Sequence, residues 1–159
     1  MVAMLIALVL APPASLPARQ GWHVDRARLK DAGCAGCLQT WSRASTVPYR
    51  DAPNDLPHRT MAALPRRGII ILVSRSWEPS PPGWMHRRRP LRIVSAAITA
   101  SFEGNTTNGR VSRWQASTWR AGSFVTVYVL FGSPVPAPAT VARAQAELDG
   151  TTFDPWIVR

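Results

Sequence analysis

Cys34-Ala-Gly-Cys37 is the one spacing in this 159-residue chain that matches a recognised reactive motif. Two cysteines separated by two residues form a redox couple when a helix N-terminus or a cation stabilises the first thiolate. Such sites normally follow a strand in a βαβ unit. Here the motif follows a charged stretch, RARLKDAG, in which no strand is legible, and precedes a segment that reads as one. Thiol–disulfide exchange at Cys34 and Cys37 is therefore the alternative function, and a local structural disulfide or a pair of buried thiols is the favoured reading. Export would favour the oxidised pair. Closing so short a loop adds only about 2 kcal/mol in the chain-entropy picture.

Other chemistries find less support. Zinc would need two further ligands, and His23, His58 and His86 are scattered without the spacing of a paired site. No Gly-x-Ser-x-Gly elbow, phosphate-cradling glycine loop or isolated carboxylate pair is present, so no catalytic residue, metal or cofactor is assigned. These absences favour a non-enzymatic protein. The best candidate contact site is Trp84-Met85-His86-Arg87-Arg88-Arg89. Arginine forks hold phosphate or carboxylate bidentately, and a neighbouring tryptophan can anchor at a membrane interface. Trp84, Arg87, Arg88 and Arg89 are thus candidate contacts for an anionic partner, against the alternative of solvated arginines and a tryptophan packed on the core. Trp41, Trp77, Trp114, Trp119 and Trp156 read as packing residues.

Charge points the same way. The chain carries 19 basic and 9 acidic residues, a net +10, and all the basic residues but Lys30 are arginine. Ten arginines against two glutamates fall within residues 66–120. A basic middle on a nearly neutral frame suits a phospholipid surface or an acidic envelope polymer. Nucleic acid is the weaker possibility, since no homeodomain, zinc-finger or RNA-binding pattern accompanies the charge.

The elements that must position these residues can be read from periodicity. Residues 38–47 alternate as a strand. Leu56, Thr60, Met61 and Leu64 recur at helical spacing, predicting a helix over 55–64 that Pro65 and Gly68 end. Residues 69–73, IIILV, form a strand nucleus buried on both faces. Residues 78–90 form a proline-rich loop, and 91–102 are expected as another strand. Residues 111–131 read as a β-hairpin turning at Ala121-Gly122-Ser123, its second arm central in the sheet. A helix over 138–149 has Pro138 in its first turn, a buried stripe of Val141, Ala144 and Leu148, an Arg143–Glu147 pair, and Gly150 as its stop. The expected class is α+β, a mostly antiparallel sheet of four to five strands with two helices.

Residues 2–11, VAMLIALVLA, are continuously apolar. The run is shorter than the about 20 residues of a spanning helix and fits the core of an export signal, with Ala14 and Ala18 as small residues near a cleavage point. The expected division is a signal-like segment and linker over 1–20 and one domain over 21–159. The protein would be secreted or associated with the cell envelope, and otherwise cytoplasmic.

The stretch LPHRTMAALPRRGIIILV, then FVTVYVLFG and the helix ATVARAQAELDG, together resemble uncharacterised exported or envelope-associated proteins of high-GC Gram-positive bacteria. The resemblance spans roughly residues 21–156 and rests on structural motifs. It implies an extracytoplasmic domain contacting an anionic surface or an envelope partner, and transfers no catalytic residue.

Overall fold

The computed structural model describes residues 14–29, 39–52, 56–76, 91–100, 109–120 and 123–153. Five strands form one sheet: β1 (His23–Leu29), β2 (Gln39–Ser45), β3 (Ile69–Ser76), β4 (Ser112–Arg120) and β5 (Ser123–Phe131), in the order β1-β2-β3-β5-β4. Every neighbouring pair is antiparallel. Among the described residues two α-helices accompany it, α1 (His58–Ala62) and α2 (Pro138–Asp149). The α+β class, the strand count and the two helices agree with the sequence expectation.

Alternation along the strands gives the sheet two buried faces. On the first face Ile69, Ile71, Val73, Val125, Val127, Val129 and Phe131 are fully buried, and Ala144 and Leu148 of α2 pack over them. On the second face Ile70, Leu72 and Leu130 meet Met61 of α1 with Leu64, Val111 and Trp41. β3 and β5 are thus covered on both sides, as their β-branched composition requires.

Three expectations need correction. First, β1 was not legible, yet HVDRARL pairs along its length with β2, from His23↔Ser45 to Leu29↔Gln39. As an edge strand it tolerates charged residues that a central strand could not. Second, of the strand expected over 91–102 the described residues, 91–100, form no named strand. Leu91–Val94 runs without a ladder into a 3₁₀ turn at Ser95–Ala97, and a single bridge joins Thr99 to Arg113. The backbone groups of 91–93 are met by the Gln145 side chain, which donates to Leu91 O at 2.9 Å and accepts from Ile93 N at 2.8 Å. A single amide on α2 therefore replaces the strand partner.

Third, residues 14–20 are not a linker. Ala14 and Leu16 are 1% and 7% exposed within the main core. This strap runs antiparallel to α2. Ser15 exchanges two backbone bonds with Thr152, Pro17 packs on Gly150, Arg19 approaches Glu147, and Gly21 O accepts from Arg143. α1 is shorter than the predicted 55–64, while α2 matches 138–149 to the residue.

Candidate functional site

Cys34 and Cys37 fall between β1 and β2, and Trp84, Arg87, Arg88 and Arg89 fall between β3 and β4; all six lie outside the described residues. Their flanks still inform the chemistry. A strand does precede the cysteine motif, contrary to the sequence reading, but β1 and β2 pair antiparallel. The motif thus falls in the chain between two antiparallel neighbours of the sheet, whereas a βαβ redox unit joins parallel strands. His23 and His58 are exposed on separate elements. Trp41 and Trp114 are core residues, as expected. Among the described residues no group of three or more His, Cys, Asp or Glu could hold a metal, and no helix is long and apolar enough to cross a membrane.

The structure does gather polar residues the sequence kept apart. Arg43, on the second face of β2, is 2% exposed. Its Nη2 lies 2.6 Å from Asp25 Oδ2 and its Nε donates to the same oxygen at 3.3 Å. The guanidinium stacks 4.3 Å from the centre of the Tyr49 ring. Asp25 and Arg43 are direct cross-strand partners, so register alone brings them together. Burial pushes the Tyr49 phenol far above its ordinary pKa, Asp25 adds to this, and Arg43 opposes it. Tyr49 Oη and Trp41 Nε1 are buried without hydrogen-bond partners among the described residues. The group holds no nucleophile beside a base, so it organises the sheet face and offers no catalytic constellation.

Asp51 joins this region to α1. Its carboxylate accepts from Arg59 N at 2.8 Å, Thr60 N at 2.9 Å and Thr60 Oγ1 at 2.6 Å, capping a helix whose own N-cap is a proline with no side-chain acceptor. Partial burial works to raise its pKa, but the Thr60 hydroxyl, the two backbone N–H groups and the Arg43 charge outweigh it, and the net shift is downward. A depressed carboxylate pKa stabilises the fold above the unfolded value near 3.9, and that contribution is lost as pH falls through the folded value. Asp51→Ala is expected to cost about 1–2 kcal/mol at pH 7. Denaturant titration should show the difference from the parent shrinking below about pH 4; an equal difference at pH 7 and pH 3 would contradict the capping role.

Beneath the strap lies Glu147, whose side chain is fully buried. Among the described residues neither carboxylate oxygen has a hydrogen-bond partner at normal geometry, and Arg19 Nε lies 3.9 Å away. The predicted Arg143–Glu147 pair gives way to a different arrangement: Arg143 sits over the Trp22 ring at 5.4 Å and donates to Gly21 O at 3.2 Å. Burial raises the Glu147 pKa, while the charges of Arg19 and Arg143 and the Ala18 amide oppose the rise. A carboxyl that binds its proton more tightly when folded costs stability above the raised pKa, and the cost vanishes below the unfolded value near 4.3. Glu147→Gln should therefore raise the melting temperature at pH 7 and bring no gain near pH 4, as scanning calorimetry at the two pH values would show.

The most extensive feature is an arginine rim. Arg50, Arg59, Arg66, Arg67 and Arg110 are all exposed, and none forms an ion pair among the described residues. The fold assembles them around α1. Arg50 N donates to Thr60 Oγ1, Arg59 lies on the helix, and Arg66 and Arg67 occupy the turn into β3 closed by Gly68 N→Pro65 O. Arg110 precedes Val111, which packs with Met61 and Leu64. Among the described residues of α1 and its preceding loop the acidic group is Asp51, which is engaged in capping; Asp55 lies outside them. Arg50 and Arg59 escaped the sequence reading because they precede the basic stretch, and only the packing of α1 joins them to it.

No family model matches the sequence, and no curated protein or solved structure matches it either.

Proposed function

We propose that the chain is a non-catalytic extracytoplasmic domain that contacts an anionic surface or envelope polymer through its arginines. The observation that carries this reading is the rim of Arg50, Arg59, Arg66, Arg67 and Arg110, exposed, unpaired among the described residues and grouped around α1. Guanidinium groups not spent on internal carboxylates are free to bind phosphate or carboxylate from outside. The apolar run at 2–11 and the resemblance to exported envelope-associated proteins support the location. Trp84 and Arg87–Arg89 would extend the same chemistry.

The full chain is expected to bind phosphatidylglycerol vesicles or inorganic polyphosphate and to release both as salt rises. Each arginine at an anionic surface contributes about 1 kcal/mol, so neutralising Arg66 and Arg67 with Gln should weaken binding about 30-fold. Equal binding to phosphatidylcholine vesicles, or binding indifferent to salt, would refute the proposal. Thiol exchange at Cys34 and Cys37 is the second reading, and the antiparallel pairing of the flanking strands β1 and β2 weighs against it. Alkylation across pH would revive it by revealing a thiol pKa well below 8.5.

A further inference from the structure

We propose that residues 14–22 are an integral strap of the mature protein, so that any leader cleavage falls before Ala14 and never at Ala14–Arg19. The inference rests on the export reading only for the existence of a cleavage; the strap itself is argued from packing.

Sequence alone marks Ala14 and Ala18 as the small residues nearest the apolar run, and a cut after either would leave the domain beginning at residue 15 or 19. The structure makes both positions interior to the fold. Ala14 is 1% exposed, its N–H donates to Ser42 Oγ at 3.3 Å, and the same hydroxyl donates back to Ala14 O. Ser42 is itself buried, so removing Ala14 would strand its hydroxyl. One residue on, Ser15 N donates to Thr152 O at 2.8 Å and Thr152 N to Ser15 O at 3.1 Å. Leu16 fills the core beside Ala144 and Leu148.

The strap also covers a charge. Ala18 adopts φ 50°, a left-handed conformation rare for alanine, where the strap bends over Glu147. Arg19 from the strap is one of the two cations whose charge favours ionised Glu147, with Arg143 from α2 the other. Losing residues 14–19 would uncover Leu148 and Ala144 and take away one of those cations. A segment that completes the core, satisfies a buried hydroxyl and covers a carboxylate behaves as part of the domain. In the sequence, Pro12 and Pro13 stand between the apolar run and Ala14.

The test uses the full chain expressed from its own start in a host that exports proteins. Mass spectrometry of the folded product should find its N-terminus at residue 14 or earlier; a folded product beginning at residue 15 or later would overturn the proposal. An uncleaved chain confined to the cytosol agrees with the strap while defeating the export reading, so the two failures are distinguishable. In the same full chain, Leu16→Asp should lower the melting temperature by about 10 °C or more, and Leu16→Ala by roughly half as much. Melting unchanged in both variants would show a dispensable linker and sink the idea.

Discussion

Replacing Gly132 with alanine is expected to destabilise the fold by at least about 3 kcal/mol, or to prevent the protein from accumulating. A Cβ at this position would lie 2.0 Å from the carbonyl oxygen of Pro65 and 2.8 Å from its carbon. Both are backbone atoms, so no rotamer change relieves the contact. The backbone cannot easily retreat, because Gly132 N donates to Gly68 O at 3.0 Å and Gly68 N to Pro65 O at 2.6 Å. The contact ties the end of β5 to the turn that carries Arg66 and Arg67. Gly109 provides the control: it has φ 70° with nothing within 4 Å of its added Cβ, so alanine there should cost only about 1–2 kcal/mol of backbone strain. Denaturant melts of the two variants should separate clearly. A Gly132→Ala protein as stable as Gly109→Ala would mean that the β5 terminus is free to shift.

The second large effect is expected at Arg43 and Asp25. Arg43 is buried and Asp25 is 35% exposed at its side chain, so the pair is desolvated on one side only. Asp25→Ala removes a charge partner of a guanidinium that stays buried, and should cost about 2–3 kcal/mol. Arg43→Ala should cost as much or more, because it also removes the cation over the Tyr49 ring and leaves a gap under a phenol already without a partner. Arg43→Met with Asp25→Ala should recover more than half of the single losses, because the pair is removed together and the volume is kept. A double variant as unstable as the summed losses of Asp25→Ala and Arg43→Met measured singly would show that the ion pair does not couple the strands.

These residues also show how much of the fold the sequence disclosed. β3 and β5 were legible because burial on both faces demands unbroken apolar runs, and IIILV and FVTVYVLF supply them. α2 was legible because Pro138 and Gly150 punctuate a regular stripe. β1 was hidden because an edge strand needs only one partner and little burial, so Asp25, Arg26 and Arg28 broke any visible period. Residues 91–102 misled in the opposite direction. Their composition is that of a strand, but Gln145, more than 50 residues away, meets the backbone groups that would have joined a ladder. The strap was misread because proline and alanine look alike in a linker and in a tightly packed crossing. Of the candidate site, the excess of arginine was plain, and its grouping around α1 was not, since that depends on Val111 and Met61 meeting across the sheet face.

The charged edges of the sheet have a consequence for how copies of this protein treat one another. β1 and β4 are the sheet's margins, and the sequence of β1 carries Asp25, Arg26 and Arg28. An open sheet margin is a template on which another strand can grow, and charged residues in the marginal strand make that growth unfavourable. On the β4 side Thr99 exchanges two backbone hydrogen bonds with Arg113, so part of that margin is taken within the chain itself. The polarity that conceals β1 in the sequence thus works against extension of the sheet by a second copy.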